Sequence, residues 1–224
     1  MRELQDLEKF EMETLRILNR IRILDRLYFG GGTMLRLCHN LNRYSTDLDF
    51  WLKSTEDPGL YFERIHQAFS NIFTVKDAED KKNTLLFEIN SPESVRNLVM
   101  EIRKDQSEFN WERRIAFSSF SKIQVVVRAL TLEQMMQNKI NAFLDRKLIR
   151  DCFDIEFLLF RGVALNVKKE RMEEMLEIID RFTDRDFKVS LGSLLETKDR
   201  FFCIENRFQF LREELRKQNF PKKE

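Results

Sequence analysis

An α+β fold is what this 224-residue sequence predicts, with strands and helices mixed over residues 1–130 and a helical region over 131–224. Three observations lead there. Short apolar or alternating runs of strand type recur as far as KIQVVVR at 122–128, and none follows. From Thr131, which with Gln134 resembles a capping box, helical periodicity dominates to the end. Six glycines and three prolines stand against 21 phenylalanines, a composition suited to a helix-rich domain with an aromatic core. The change near residue 130 is not a flexible linker, because no Gly-, Pro- or Ser-rich stretch marks it.

Composition narrows the class further. Apolar residues make up 42% and charged residues 34%, with a net charge of +1, so the chain is globular rather than disordered. That balance argues against a protein that coats nucleic acid and leaves room for a local basic groove. Cys38, Cys152 and Cys203 form no CxxC pair and no disulfide framework. With His39 and His66 the only histidines, a structural zinc site is disfavoured. The odd cysteine count and the lack of a secretory signal point to a reducing cytoplasm. Apolar runs such as 155–160 fall far below membrane-spanning length, so a soluble, cytoplasmic protein is expected.

The elements follow in order. Leu4, Leu7, Phe10, Leu15 and Leu18 recur at mostly three- and four-residue spacing, which predicts an amphipathic helix over 3–20. A short buried strand is expected at 26–29, ended by Gly30, Gly31 and Gly32, and a helix at 33–41. Residues 45–52 alternate as a strand does, with Leu48, Phe50 and Leu52 on one face and Asp47, Asp49 and Trp51 on the other. Asp57 before Pro58 starts a helix running to about 73 that buries Phe62, Ile65, Phe69 and Ile72. Strands are expected at 84–89, 98–103 and 122–128, with a turn at INSPESV. Helices are expected near 132–145, 149–161, 167–183 and 204–218, ahead of a frayed KKE tail at 222–224.

The chemistry concentrates in residues 29–50. A glycine cluster ahead of a helix lets a backbone approach a ligand closely and presents free N–H groups at the positive end of the helix dipole, where a phosphate is stabilised. Thr33 adds a hydroxyl. The cluster is neither GxGxxG nor a P-loop, and taken alone it reads first as a tight turn. Asp47 and Asp49 lie two residues apart on one strand face, roughly 6–7 Å from each other. Carboxylates so close repel unless a cation lies between them, and Mg2+ is a hard ion suited to carboxylates and phosphate oxygens. Glu101 in LVMEIR is the favoured third carboxylate of a two-metal site, and Glu88 in LLFEI is its rival.

GGTMLRL followed by RYSTDLDF resembles the AbiEii/AbiGii toxin family within the polymerase-β-type nucleotidyltransferase superfamily. A second block, KINAFLDRKLIRDCFDIEFL, matches the family's later motif, with Lys139, Ala142, Arg146, Arg150, Asp151, Asp154 and Ile155 in register. The triple glycine and the slightly long interval from Gly32 to Asp47 depart from the superfamily pattern. The resemblance covers about residues 25–160. It implies a polymerase-β-like domain with a short mixed sheet flanked by helices, and a helical region over 131–224 that completes the active-site cleft.

The second block is also intelligible from its residues. Lys139 and Arg146 are two helical turns apart, and Asp151 and Asp154 share a helix face. Cations facing a carboxylate-rich cleft neutralise a triphosphate, while the same residues as a bare pattern read as a surface salt-bridge ladder. Arg150 and Asp154, at i,i+4, are expected to pair with each other and fix the helix. The implied activity is Mg2+- or Mn2+-dependent transfer of a nucleoside monophosphate from an NTP to an acceptor, with tRNA a candidate. Gly31, Gly32 and Thr33 would hold phosphates, with Lys139, Arg146 and Arg150 binding the nucleotide. Asp47, Asp49 and Glu101 would hold metal, and with Lys139 and Asp151 they form the catalytic set. The resemblance further implies the toxin of a bacterial toxin–antitoxin or phage-defence pair, with an antitoxin protein as partner. A nucleotide-binding regulatory module without turnover and a small-molecule (antibiotic-type) nucleotidyltransferase are the competing readings.

Overall fold

The structure, a computed structural model, describes residues 1–53, 57–104 and 108–219, so the tail expected to fray lies outside the described residues. The chain divides into two compact units, Met1–Thr131 and Leu132–Glu224.

The first unit is built on a seven-stranded mixed sheet in the order β3-β4-β5-β2-β1-β7-β6. Its strands are β1 (Leu27–Gly30), β2 (Asp47–Leu52), β3 (Thr74–Asp80), β4 (Thr84–Asn90), β5 (Leu98–Arg103), β6 (Trp111–Phe117) and β7 (Gln124–Leu130). The β1–β7 and β2–β5 pairs are parallel and the others antiparallel. The α-helices described in this unit are α1 (Arg2–Arg20), α2 (Gly31–His39) and α3 (Pro58–Ser70), and a 3-10 turn (Leu24–Arg26) leads into β1. Alternation along the strands buries Phe29, Leu48, Phe50, Leu85, Phe87, Ile89, Leu98, Met100 and Ile102 on one side. Phe29 stacks on Phe50 at 4.9 Å, and α3 delivers Phe62 and Phe69 to Phe87, at 5.1 and 5.7 Å. The apolar face of α1 is fully used, with Leu4, Leu7, Phe10, Leu15 and Leu18 all buried. Asp57 caps α3 as expected, its carboxylate accepting from Gly59 N at 2.9 Å. Ile72, expected in the core, is half exposed beyond the end of that helix.

The second unit is helical, with α4 (Leu132–Arg146), α5 (Ile149–Phe160), α6 (Lys169–Asp180), a π-helical turn (Asp186–Leu191), α7 (Thr197–Asn206) and α8 (Gln209–Asn219). Its core gathers Phe143, Phe182, Phe187 and Phe208, with ring centroids 5.3–6.3 Å apart. One continuous helix was expected over 204–218. Instead Arg207 and Phe208 take positive φ, 46° and 58°, and break the segment so that Phe208 turns into this cluster.

Candidate active site

Positions in the sheet decide which acids meet. In the parallel β2–β5 pair Asp49 lies opposite Glu101 and Asp47 opposite Val99. Opposed residues point to the same side and sit one strand spacing apart, about 4.8 Å. Glu88 also opposes Val99, so a whole strand separates it from Asp47, and its carboxylate accepts from Asn97 Nδ2. Of the two rival glutamates, the register therefore brings Glu101 beside the aspartates. Asp47, Asp49 and Glu101 are all partly solvent-accessible, and they share the face opposite the Phe29–Phe50 core.

The glycines divide into distinct tasks. Gly30 ends β1 opposite Asp49, where a Cβ would meet the Trp51 ring at 2.4 Å. Gly31 opens α2 at φ +74°, and a Cβ there would lie 2.1 Å from Asp49 Oδ2. A Cβ on Gly32 would lie 2.6 Å from Arg43 Nη2 and 2.7 Å from Ser45 Oγ. Gly31 and Gly32 are thus the pair on which the polar residues of RYSTDLDF close. Thr33 is fully buried, and its hydroxyl donates to the Asp47 carbonyl at 2.7 Å. The expected phosphate-binding hydroxyl is therefore engaged inside the fold, where it fixes the start of β2 to α2.

Sequence reasoning did not single out the supports around this strand. Arg103 Nη2 is 4.0 Å from Asp49 Oδ1, and its guanidinium lies 5.1 Å over the Trp51 ring. Its signal was available, because Arg103 follows Glu101 by two residues and so shares its face. Arg43 is buried and donates to the Tyr44 carbonyl at 2.9 Å. From α1, Glu8 pairs with Arg36, which stacks 3.8 Å over Tyr44. Glu11 is buried, 3.4 Å from the Thr33 hydroxyl, and burial first, then the charge of Glu8, holds its carboxyl well above the ordinary range.

In the helical unit, Lys139 on α4 places Nζ 2.7 Å from Asp154 Oδ2 and 3.5 Å from Asp151 Oδ1, both on α5. Arg146 Nη2 reaches both oxygens of Asp151, at 2.8 and 3.0 Å. Both aspartates are fully buried and Lys139 nearly so. Asp154, expected to pair with Arg150, lies against the Lys139 ammonium. Arg150 is half-buried on the first turn of α5. The side chain of Arg146, 40% exposed, is the accessible cation of the cluster, and that of Lys139, 9% exposed, is its buried centre.

Among the described residues no three His, Cys, Asp or Glu side chains are drawn into a group that could hold a metal ion. Asp49 lies against Gly31 and 4.0 Å from Arg103 Nη2, with Glu101 opposite it on β5. The donors themselves suit a divalent cation. Asp47 and Asp49 offer hard oxygens on one strand face, and the missing Cβ of Gly31 lets the Asp49 carboxylate lie against the first turn of α2. Among the described residues no helix is long and apolar enough to cross a membrane.

Comparison with known proteins adds the family. No curated protein matches the chain. Two solved structures from Helicobacter pylori share its fold, each with a TM-score of 0.57. JHP933 is 19% identical, over 96% of this chain and 94% of its own. The other, provisionally assigned as a nucleotidyltransferase, is 18% identical over 95% and 98%. The family model described as nucleotidyl transferase AbiEii toxin, type IV TA system, matches residues 15–218. With nearly its whole length under that model, and with the glycine turn and strand aspartates placed as above, the chain belongs to the AbiEii nucleotidyltransferase toxin family.

Proposed function

We propose that this protein transfers a nucleoside monophosphate from an NTP to an acceptor hydroxyl, a reaction of the EC 2.7.7 type. The observation that carries this reading is the closure of Gly31 on Asp49, with Glu101 beside Asp49 on the next strand. Backbone N–H groups in the first turn of α2, from Gly31 to Thr33, would donate to phosphate oxygens at the positive end of the helix dipole. Asp47 and Asp49 would hold a divalent cation, Mg2+ or Mn2+, which when bound supplies charge neutralisation at the α-phosphate and the leaving pyrophosphate. Glu101 would accept the proton of the acceptor hydroxyl as its oxygen attacks the α-phosphorus. The new O–P bond forms as the bond to the bridging oxygen breaks, and pyrophosphate leaves.

From the helical unit, Arg146 and Arg150 would neutralise triphosphate charge. Asp151, between Lys139 and Arg146, orients Arg146, and Lys139 and Asp151 act mainly as positioning residues, which suits their burial. RNA, tRNA in particular, is the favoured acceptor class. The family's description as a type IV toxin supports a role opposed by a separate antitoxin protein, as in phage defence.

The test is incubation of the protein with each labelled NTP, Mg2+ and total RNA. The expected result is label in RNA and pyrophosphate release, with both reduced on the order of 100-fold or more by Asp49→Asn at unchanged melting temperature. Retained transfer in that variant would overturn the site. Metal-dependent NTP binding without pyrophosphate release would instead establish a regulatory module, and transfer to small molecules alone would establish the antibiotic-type reading.

A further inference from the structure

The net charge of +1 conceals one strongly basic recess. A cavity of about 510 Å3 in the α/β unit is lined, among the described residues, by Arg22, Arg26, Lys53, Arg64 and Arg128, with Asp25 as an acid and Tyr61 as the aromatic wall. Its volume is in the range of small-molecule sites. The fold assembles these cations deliberately from separate elements. Lys53 N donates to Arg26 O at 2.9 Å, which extends the β1–β2 ladder one step past Leu27–Leu52 and sets the two cations side by side. Arg22 is held at φ 56° as the left-handed residue closing α1, where glycine is the cheaper choice. Its neighbours fix that turn: Ile23 N donates to Leu18 O at 2.9 Å, and Arg64 Nη2 to Ile21 O at 2.8 Å. Arg128 is aligned by stacking 4.8 Å over Trp111.

We propose that this recess is a second anion site, taking phosphate groups of a ligand that extends away from the carboxylates. Lys53 itself lies four residues from Asp49 with the same strand parity, ~13 Å further along β2. Between the two lie Trp51 and Arg103. Two sources offer the required chemistry: the phosphodiester backbone of a nucleic-acid acceptor, or a free polyphosphate. The inference deepens the transferase reading but does not require turnover, since binding here needs neither Asp49 nor a metal.

Binding is measured in EDTA, by fluorescence anisotropy for a labelled single-stranded RNA oligonucleotide and by calorimetry for inorganic tripolyphosphate, over a salt series. The exposed pair Arg22→Gln/Lys53→Gln should weaken binding about tenfold or more at unchanged melting temperature. For the oligonucleotide it should also lower the salt slope by roughly 1.4, two phosphates' worth. Lys53→Arg should bind as the parent does. Loss confined to the oligonucleotide identifies a phosphodiester chain, and loss confined to tripolyphosphate identifies a free polyphosphate. Parent-like binding of both probes by the double variant, or no binding by the parent, overturns the site. An Asp49→Asn protein that binds normally but does not transfer separates this inference from the catalytic one. Should the parent bind here yet never release pyrophosphate, the transferase reading fails alone.

Discussion

Gly31 combines two constraints that are independent of each other. Its φ of +74° disfavours any side chain, and the space its Cβ would need is held by the Asp49 carboxylate. Gly31→Ala should therefore cost about 1–3 kcal/mol of stability. It should also lower transfer as far as an Asp49 substitution does, because the carboxylate must swing away. Thermal unfolding and the labelled-NTP assay read both effects, and an alanine variant with parent-like activity would show that Asp49 need not sit against the α2 turn. At this scale the sequence was most informative where chemistry and backbone demand the same residue type. A glycine ahead of a helix and two acids of equal strand parity are visible in a linear string. What Thr33 does was not, since a hydroxyl looks the same whether it faces a phosphate or a buried carbonyl.

Elements were legible in proportion to how one-sidedly they are buried. The inner strands β1, β2, β4, β5 and β7 carry apolar, β-branched or alternating runs and were read from them. The two strands not anticipated, β3 and β6, are the edges of the sheet. TVKDAED and WERRIAF are rich in charge and mostly exposed, the usual guard against edge-to-edge pairing, and that guard erases the apolar period. The α4–α5 pair shows the reverse case, a charged pattern that proves to be interior. Lys139 lies between Asp151 and Asp154, and removing it takes the ammonium away from two buried carboxylates, of which Asp151 keeps Arg146. Lys139→Met should cost about 3–5 kcal/mol in denaturant unfolding of the helical unit. Lys139→Met with Asp154→Leu should recover a good part of that loss, as buried ion pairs replaced by apolar residues often do. If the single variant unfolds like the parent, the lysine is not the centre of the cluster.

For the whole molecule, the division into two units gives its stability a testable pH signature, because each unit carries a buried glutamate whose carboxyl is raised. Glu11 faces Glu8, Arg36, Asp47 and the Thr33 hydroxyl in the first unit, and burial is the main cause of its rise above the ordinary 4.5. Glu156, in the second, is raised by burial and partly held down by the Leu211 N–H, which donates to it at 3.2 Å. A carboxyl raised in the folded state binds its proton more tightly there than in the unfolded chain. Each therefore adds stability that is fully present below about pH 4.5 and is lost as pH rises through the folded value. At neutral pH both glutamates are costly, and a neutral amide of the same shape removes the cost. Glu11→Gln should stabilise the α/β unit at pH 7 by about 1–3 kcal/mol and flatten its decline with rising pH above the ordinary carboxylate range. Glu156→Gln should do the same for the helical unit, more weakly, since its carboxylate keeps a backbone donor. Differential scanning calorimetry across pH 4–8 resolves the two cases. Parent-like pH dependence in Glu11→Gln would mean that Glu11 is ionised at little cost, sustained by Arg36, and that the α1 face behind the Asp47 strand is an ion-pair network rather than a protonated acid.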